Sequence, residues 1–456
     1  MASYNFSRTP VNVPLVKTKH REINTAIPAQ GTGEILQLLD KYESRSMHGQ
    51  MPIIWDKALD FNVFDKQNNK WIDFTSTIFV TNIGHANKYL KKRLREVLDQ
   101  DLLHTYAYAN ELRLTYLKKL IENTPSNFEK AFLLSAGTEA TEAALKLMRL
   151  NGLKNNKRKL GVICFEGNWH GRTMGAQMMG GNVKQKEWIG YLDPNIYHFP
   201  FPYPWSILDK SPEEMFESGI KKLVDSGVDL EKDICGLMLE TFQGWGAVFY
   251  PKPYVQLIKR YAEKYHWLLT FDEMQAGFCR TGTLFGYEHY DVIPDLICCG
   301  KGISSGVALS AVLGTKEIMD LPDVGDMSST HSANPLSCAA GLATLEYIID
   351  NNIIENSHKK GQILHNGLNK IMEKYSDKIS YVLGKGMIAA LIFSDREHKN
   401  MYTELPSKIC EKAMQKGLLL VHTGRESIKI APPLTISEDA LVEGISVIDE
   451  TIAELI

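Results

Sequence analysis

The sequence predicts an α/β fold that is built on a mostly parallel sheet, and three observations support this prediction. From about Lys130 onward, short apolar runs alternate with longer amphipathic stretches. The runs are bounded by glycine or acidic residues, which is typical of strands that are buried on both faces. The helical stretches between them imply crossover connections, and such connections join parallel strands.

The chain can be divided into elements in order. The first 35 residues or so are polar with spaced prolines, which predicts an extended arm. Residues 68–85 are rich in β-branched and aromatic residues after a turn-like start, which predicts a strand followed by a loop. Five buried strands are then predicted in AFLLSAG (131–137), KLGVICFEG (159–167), ICGLMLETF (234–242), WLLTFDE (267–273) and DLICCGKG (295–302).

Length and pattern together predict two domains. A chain of 456 residues is too long for one compact core and fits a large domain with a smaller one. After about Gly341 the pattern changes, and residues 331–350 predict a long helix that leaves the large domain. We expect an N-terminal arm and part of the small domain over 1–80, the large domain over 81–344, and the rest of the small domain over 345–456.

Composition disfavours several classes of protein. The net charge is −3, with no concentrated basic patch that would predict a nucleic-acid or anionic-membrane surface. No apolar stretch approaches the length of a membrane span. The seven cysteines are scattered, with no spacing typical of a metal site or a disulfide framework, which indicates a reducing compartment. We therefore expect a cytoplasmic protein with no metal centre.

An anion site is predicted where the first of the five strands runs into a helix. Gly137 permits a tight turn, and the N–H groups at the start of the following helix point outward. The Thr138 hydroxyl offers a further donor. Taken alone, Thr138 is more simply explained as a helix cap.

The loop FEGNWHGRT (165–173) follows the second predicted strand and combines an aromatic side chain with a cation. Trp169 could cover a planar ring, and Arg172 could bind a carboxylate through two hydrogen bonds. The simpler interpretation is a surface loop whose tryptophan packs on the core.

Asp272 and Lys301 each end an apolar run. A carboxylate at the depth of Asp272 is costly unless it is paired with a cation, so it is either a helix cap or a counter-ion for a buried positive group. Burial disfavours the ammonium form of Lys301, and the neutral amine can form a Schiff base with a carbonyl compound. For a lone lysine, a side chain that extends to solvent is the commoner arrangement.

Together these features meet the needs of one cofactor, pyridoxal phosphate. It needs a phosphate site, an aromatic side chain over its ring, a carboxylate for the pyridine nitrogen and an imine-forming lysine. All four are predicted at strand ends of one α/β domain. Their joint occurrence favours a cofactor site over four unrelated structural explanations.

The motifs resemble those of the class III (ω-amino) aminotransferases, which are pyridoxal-phosphate enzymes of fold type I. SAGTEATEAA resembles the phosphate-binding motif of that family, and NWHGRT resembles its aromatic-H-G-R-T loop. FDEMQAGFCRTG followed by PDLICCGKGISSG resembles the family signature, including the spacing from the aspartate to the lysine. STHSANPLSCAA resembles the segment whose threonine reaches the cofactor phosphate of a partner subunit.

The resemblance implies a fold and a set of residue roles. The fold is a large domain with a mostly parallel seven-stranded sheet between helices, plus a smaller α+β domain. Lys301 would hold the cofactor and carry the proton, and Asp272 would keep the pyridine nitrogen protonated. Trp169 and Met274 would cover the two faces of the cofactor ring, and Gln275 would bind its phenolic oxygen. Gly137, Thr138 and the partner's Thr330 would bind the phosphate. Arg172 would bind a substrate carboxylate, and Thr77 and Ile78 would border the pocket.

Two positions depart from the family pattern. The segment ETFQGWGAV keeps Glu240 but has Trp245 where many members carry a second glutamate. The segment SIKIAPPLTI has Lys429 where many members carry an arginine. In the members that carry them, that glutamate and arginine form a switch that admits two kinds of substrate. An Arg-to-Lys change at a site that binds a carboxylate through two hydrogen bonds is not conservative. Lys429 or Arg425 would then meet an anionic group, and Trp245 would narrow the pocket or add an aromatic wall. Glu240 is also expected to be a substrate-binding residue.

The resemblance therefore predicts an aminotransferase. It would move the amino group of a primary amine, not an α-amine, to a 2-oxo acid in a ping-pong cycle. A mutase, a decarboxylase or a racemase on the same scaffold remains an alternative, because these enzymes keep the cofactor residues. The role implied for Thr330 predicts a homodimer, or a tetramer built from such dimers.

Overall fold

The computed structural model describes residues 4–207, 210–395 and 397–456. The N-terminal elements are β1 (Val16–Lys17), β2 (Glu22–Ile23), α1 (Thr32–Tyr42), β3 (Lys57–Leu59), β4 (Asn62–Phe64), β5 (Lys70–Asp73) and α2 (Ser76–Phe79). This part of the chain is not only an extended arm, because β1 pairs with β2 and β2 also pairs with β5. The antiparallel order is β1-β2-β5-β4-β3.

The middle of the chain forms a seven-stranded sheet with helices around it. The first half contains α3 (Lys88–Asp99), α4 (Glu111–Glu122), β6 (Lys130–Leu134), α5 (Gly137–Lys154), β7 (Gly161–Phe165), α6 (Met174–Met179), β8 (Ile196–Phe199), α7 (Pro212–Asp225) and α8 (Leu230–Asp233). The second half contains β9 (Ile234–Glu240), β10 (Phe242–Gln243), β11 (Val248–Phe249), α9 (Lys252–Tyr265), β12 (Leu268–Asp272), β13 (Leu296–Cys299), β14 (Ser310–Gly314), α10 (Lys316–Met319) and α11 (Pro335–Asp350).

The strand order of this sheet is β6-β14-β13-β12-β9-β7-β8. The pairings from β13 through β8 are parallel, whereas β14 runs antiparallel to both of its neighbours. Alternate side chains enter different hydrophobic clusters: Cys298 joins one, while Ile297 and Cys299 join the other. The strands are therefore covered on both faces, as their apolar sequences predict. The predicted α/β fold with a mostly parallel sheet is confirmed.

Both ends of the chain contribute to the smaller part of the molecule. The C-terminal elements are α12 (Ile353–Lys374), β15 (Ile379–Lys385), β16 (Ile388–Phe393), α13 (Leu405–Gln415), β17 (Leu418–Leu419), β18 (Val421–His422), β19 (Ser427–Ile430) and α14 (Glu438–Leu455). Four of these strands form an antiparallel sheet with the order β15-β16-β19-β18, while β17 pairs in parallel with β5 of the N-terminal sheet. The domain boundaries after residues 80 and 344 stay predictions.

All five predicted strands occur within two or three residues of their predicted limits, and two further strands, β8 and β14, were not predicted. The long helix predicted over 331–350 is α11. In 68–85 the strand is present as β5, but a turn with unusual backbone angles follows it, not an ordinary loop. Within the described residues, each helix is too short or too polar to cross a bilayer.

Candidate active site

Three ionisable side chains meet at the carboxyl ends of adjacent parallel strands. Asp272 ends β12 and lies in register with Glu240, which ends β9, and with Cys298 of β13. Lys301 follows β13 by two residues and has a positive φ of 47° between two glycines. The edge of the sheet thus gathers residues that are 29 to 61 positions apart in sequence.

The environment of Lys301 favours the neutral amine. Burial lowers the pKa of Lys301, and the negative charges of Asp272 and Glu240 only partly oppose this effect. In the described part of the chain, Lys301 forms no ion pair within 4.0 Å. A lysine held in this way loses its proton more readily, and the uncharged nitrogen is the form that attacks a carbonyl carbon.

Asp272 is oriented by a buried histidine. One carboxylate oxygen accepts the backbone N–H of Met274 at 3.0 Å, and the other lies 2.9 Å from Nδ1 of His170. The carbonyl of His170 in turn accepts the Thr141 hydroxyl at 2.7 Å. Because Asp272 and His170 are both buried, this contact fixes the carboxylate in a low-dielectric setting.

Glu240 holds two backbone segments together. Its carboxyl oxygens accept the N–H of Trp169 at 2.9 Å and the N–H of Gly244 at 3.2 Å. Burial, together with the negative charge of Asp272, raises the pKa of Glu240 to about 8. The side chain thus orients the loop that carries Trp169, and its contact with a substrate stays a prediction.

The predicted anion site lies at the start of the 18-residue helix α5. Gly137 is its first residue and Ala136 its N-cap, so Thr138 lies in the first turn and is not the cap. The Thr138 hydroxyl lies 2.6 Å from that of Thr173, in the loop after β7. The first-turn N–H groups of a helix have no intrahelical acceptor, and they favour an anion.

Met274 connects this anion site with the lysine loop. A Cβ atom on Gly137 would lie 2.7 Å from its sulfur atom, and one on Gly300 would collide with the same atom. Glycine at both positions lets the two loops approach the Met274 side chain. The structure thus places Gly137 and Gly300, the residue before Lys301, against Met274, while the roles of these residues toward a cofactor stay predictions.

The Trp169 loop presents a partly exposed aromatic face. The Trp169 side chain is 36% exposed, and the guanidinium carbon of Arg172 lies 4.5 Å from the centre of its ring. Arg172 is itself exposed and forms no ion pair within the described ranges. Both side chains are therefore accessible to a ligand.

A second buried lysine lies across from Lys301. The Lys429 ammonium is 4.4 Å from the centre of the Phe79 ring and 3.5 Å from Oε1 of Gln275. Burial, and then repulsion from Lys301, lowers the pKa of Lys429 to about 7. No carboxylate of the described residues lies within 4.0 Å of its nitrogen. This nitrogen is a buried donor without an anionic partner.

The side chains of Trp245 and Arg425 pack against each other. The guanidinium carbon of Arg425 lies 3.8 Å from the centre of the Trp245 ring, and Arg425 also forms an ion pair with Glu426 at 2.9 Å. The Trp245 indole N–H donates to Gln243 at 2.8 Å. The ring lies among the aromatic side chains of Tyr203 and Trp205. Of the two cations expected near an anionic group, Lys429 is thus the unpaired one.

The three remaining predicted positions, Thr77, Ile78 and Thr330, lie on exposed segments. Ile78 is 44% exposed in the turn that contains Phe79, next to Thr77. Thr330 is exposed, and His104 lies 2.8 Å from its carbonyl oxygen. Across the described residues, Thr330 shares no hydrogen bond with the other predicted site residues of its own chain. Its role toward a partner subunit stays a prediction.

Sequence reasoning missed the contribution of two residues. His170 stands in the loop that the sequence singles out, yet its partner Asp272 is 102 positions away. Arg280 lies inside the FDEMQAGFCRTG motif but was given no role, although its guanidinium is fully buried. Four of its hydrogen bonds reach segments far away in the chain.

The fold and this site define a class of enzyme. The family model for "Aminotransferase class-III" matches residues 44–452, so the chain belongs to the class III aminotransferases. Enzymes of this class depend on pyridoxal phosphate, and the chain is a pyridoxal-phosphate-dependent aminotransferase. The family resemblance seen in the motifs is confirmed.

Particular relatives differ in what they do. The chain is 33% identical over 409 residues to "Acetylornithine aminotransferase, mitochondrial" of Candida glabrata, with 88% of this chain and 90% of the relative covered. It is 29% identical over 464 residues to "Alanine/serine racemase" of Pyrococcus horikoshii, with coverages of 98% and 96%. A crystal structure of the acetylornithine aminotransferase of Elizabethkingia anophelis matches with a TM-score of 0.77 at 25% identity, covering 93% and 100%.

The donor set of the site fits the cofactor. The buried Asp272 carboxylate suits a protonated pyridine nitrogen, the start of α5 suits a phosphate, and the amine of Lys301 suits an aldehyde. When bound, pyridoxal phosphate supplies an electron sink for the substrate carbon that loses a proton.

Proposed function

We propose that this enzyme transfers the amino group of a primary amine, with its nitrogen away from an α-carbon, to a 2-oxo acid in a ping-pong cycle. The single observation that carries the proposal is the position of Lys301. It is a lysine of lowered pKa at a strand end beside Asp272, with no ion pair inside the described chain. Such a nitrogen is suited to anchor the cofactor and to carry the proton between substrate and cofactor atoms.

Other residues of the site would bind and orient the cofactor. Asp272, held by His170, would bind the pyridine nitrogen and keep it protonated. Trp169 and Met274 would cover the two ring faces, and Gln275 would bind the phenolic oxygen. Gly137 and Thr138 would bind the phosphate at the start of α5.

Lys429 is the residue that we propose for the carboxylate of the 2-oxo acid. It is buried close to Lys301, and the described residues offer it no carboxylate partner. A bound carboxylate would supply the missing partner and offset the cost of the buried charge. Arg172, at the exposed edge of the site, is the second candidate for an anionic group of a substrate.

Trp245 would restrict the amine that enters. Its ring is fixed by Arg425 on one side and by a hydrogen bond to Gln243. A switch between a glutamate and an arginine is absent here because the positions hold Trp245 and Lys429. We therefore propose an aromatic wall in place of a movable charged gate, with Glu240 behind it.

The half-reaction with an amine alone tests the proposed reaction. The purified holoenzyme is mixed with single amines, including N-acetylornithine, 4-aminobutyrate and alanine, and the absorbance of the cofactor is recorded. A transaminase converts the aldehyde form of the cofactor to the amine form without any oxo acid and releases one carbonyl product per site. Addition of a 2-oxo acid should then restore the starting spectrum.

Other outcomes would support a different reaction on this scaffold. Loss of optical activity in alanine or serine without conversion of the cofactor would favour a racemase. Release of carbon dioxide would favour a decarboxylase, and an isomeric amine would favour a mutase. Any of these results without a net transfer of the amino group would overturn the proposed function.

We also propose that the enzyme works as a homodimer with its sites at the subunit interface. Exposed apolar side chains are concentrated in residues 98–114, where Tyr108 is 80% exposed and Leu114 is 66% exposed. His104, in the same segment, contacts the carbonyl of Thr330. A partner subunit that covers this surface would bring Thr330 to the phosphate site of the other chain.

Mixed dimers test this arrangement. Subunits with Lys301→Ala and subunits with Thr330→Ala are each expected to be impaired. If Thr330 serves the partner, the mixed dimer contains one intact site and regains activity. If Thr330 acts within its own chain, no site is intact and mixing restores nothing.

For its location we propose the cytoplasm. The seven cysteines are all unpaired and buried, which suits a reducing compartment. Cell fractionation with an antibody to the native protein tests this, and recovery in an organelle fraction would contradict it.

A further inference from the structure

Arg280 has an unusual environment for an arginine. Its guanidinium is fully buried and forms no ion pair with the described residues. Nη1 donates to the carbonyls of Met387 at 3.0 Å and Pro432 at 2.6 Å. Nη2 donates to Asn82 Oδ1 at 2.7 Å and to Ser76 Oγ at 3.3 Å. The side chain thus links the segment after β12 to both ends of the chain.

Stability alone gives a poor reason for this arrangement. Burial of the guanidinium is costly, and the buried carboxylate of Asp73, which forms no ion pair with it, offsets only part of that cost. In addition, Arg280 Nε has no acceptor in the described part of the chain. The burial of this guanidinium therefore needs another explanation, and its hydrogen-bonded neighbours suggest one.

One of these neighbours belongs to a strained turn. The four residues of α2, Ser76 to Phe79, have φ values of 45°, 52°, 61° and 72°, all in the left-handed region. Two of them, Thr77 and Ile78, are β-branched, for which this region is strongly unfavourable. Such a conformation persists only where surrounding contacts hold it. Ser76 supplies two such contacts, because its hydroxyl accepts a hydrogen bond from Arg280 and donates one to the carbonyl of Ala431 at 2.6 Å.

The turn faces the proposed carboxylate site. The Phe79 ring packs against the Lys429 ammonium, and Thr77 and Ile78 are exposed beside it. Ala431 is two residues beyond Lys429, so the Ser76 hydroxyl also ties the turn to the strand that carries this lysine. The position of Phe79 relative to Lys429 depends on these contacts.

The second neighbour supports the Lys301 loop. Asn82 accepts from Arg280, donates to the carbonyl of Phe278 at 2.8 Å and packs against Gly302. A Cβ atom on Gly302 would collide with the Asn82 side-chain amide. Because Gly302 directly follows Lys301, Asn82 limits where the lysine backbone can lie.

We propose that Arg280 is a positioning residue that sets two parts of the active site at once. Through Ser76 it holds the left-handed turn against the carboxylate site, and through Asn82 it holds the Lys301 loop. The Ser76 branch rests on the proposed function, since it concerns substrate binding. The Asn82 branch concerns the cofactor and can be measured without turnover.

Two variants separate the branches. Ser76→Ala removes the hydroxyl contacts and keeps Asn82, so KM for the 2-oxo acid should rise about tenfold while kcat stays within about twofold. Asn82→Ala should shift the pH midpoint of the visible absorbance band of the bound cofactor, because Lys301 is no longer held. Neither result is expected from a loss of stability alone.

Ser357→Ala is the matched control. Its hydroxyl donates to the carbonyl of Cys279, next to Arg280, at 2.6 Å and is equally buried, but it touches neither the turn nor Asn82. It should lower the melting temperature as much as Ser76→Ala does and leave KM and the absorbance midpoint unchanged. Arg280→Lys, which offers fewer donors, should show both defects together.

The outcomes are distinguishable from a failure of the proposed function. If amino transfer occurs and Ser76→Ala leaves KM unchanged, or if Asn82→Ala leaves the absorbance midpoint unchanged, the role of Arg280 is refuted. If no substrate pair is transaminated, the proposed function fails, while the absorbance midpoint of Asn82→Ala still decides the second branch. An equal change in the Ser357→Ala control would also refute the proposal.

Discussion

Substituting Lys429 tests how this site recognises a carboxylate. The ammonium is buried against Phe79 and Gln275, and the charged groups that face it are Lys301 and Glu240. Burial lowers the pKa of Lys429 to about 7, with a smaller contribution from Lys301. The free site therefore carries a cation at pH 6 and mostly a neutral amine at pH 9. Burial, the larger cause, is also present when the cofactor is bound.

The size of the effect follows from proton linkage. An anion binds the charged form of Lys429, so affinity is fully present below pH 7 and is lost as the pH rises through this pKa. For a pKa of about 7, the dissociation constant of a carboxylate ligand should rise about 50-fold between pH 7 and pH 9. Above pH 7 the binding of each ligand should take up close to one proton.

Calorimetry measures both quantities. A non-reactive dicarboxylate is titrated into the holoenzyme from pH 6.5 to pH 9, in buffers with different enthalpies of ionisation. Lys429→Arg is the control, because a guanidinium stays charged in this range and should bind without a pH slope or proton uptake. Lys429→Met should bind weakly at every pH. A wild-type affinity that does not vary with pH, or the same slope in Lys429→Arg, would refute the reasoning.

Three further predictions concern single side chains. His170→Ala removes the partner of Asp272 at 2.9 Å and should lower kcat about 10- to 100-fold with cofactor still bound, and an unchanged kcat would contradict the orienting role. Trp245→Ala removes the aromatic wall and should raise kcat/KM for bulky amines relative to small ones by about tenfold, while an unchanged ratio would place the ring outside the amine pocket. Thr77→Gly removes a β-branched side chain from a left-handed position and should raise the free energy of unfolding by about 1 kcal/mol, measured by thermal unfolding. Val80→Gly, at a φ of −93°, is the control and should lower the free energy of unfolding. A loss of stability in both variants would argue against backbone strain at Thr77.

Sequence reasoning located the sheet because its signal is local. Each predicted strand is a continuous apolar run, and burial on both faces requires such a run. The two strands that were not predicted differ from these five. β14 follows the Lys301 loop without a crossover helix and is antiparallel to its neighbours, and β8 is a four-residue strand with a histidine in it.

The positions of the candidate cofactor residues Asp272 and Lys301 in the fold were predictable for a similar reason. Asp272 and Lys301 each follow a recognisable strand, and parallel strands place their carboxyl ends at one edge. The supporting contacts were not predictable, since they join residues that are distant in sequence. Arg280 depends on carbonyls 107 and 152 positions away, and nothing near it predicts that a charged side chain is buried.

The turn after β5 shows most clearly where prediction from the local sequence fails. Threonine and isoleucine favour extended backbone, so the sequence predicts a strand and a loop there. The left-handed conformation of Thr77 and Ile78 occurs beside tertiary contacts of Ser76 with Arg280 and Ala431, which the local sequence does not predict. Local preference was overridden at a position that we propose borders the active site, and strained backbone is common at such sites.

The most direct test of the account is to find which lysine carries the cofactor. The holoenzyme is reduced with borohydride, digested and mapped by mass spectrometry. We predict that the cofactor-derived mass lies on Lys301 alone, and that Lys301→Ala remains folded, shows no visible absorbance band and gives no adduct. An adduct on any other lysine, such as the buried Lys429, whose pKa is also lowered, or a visible band that persists in Lys301→Ala, would contradict the central claim.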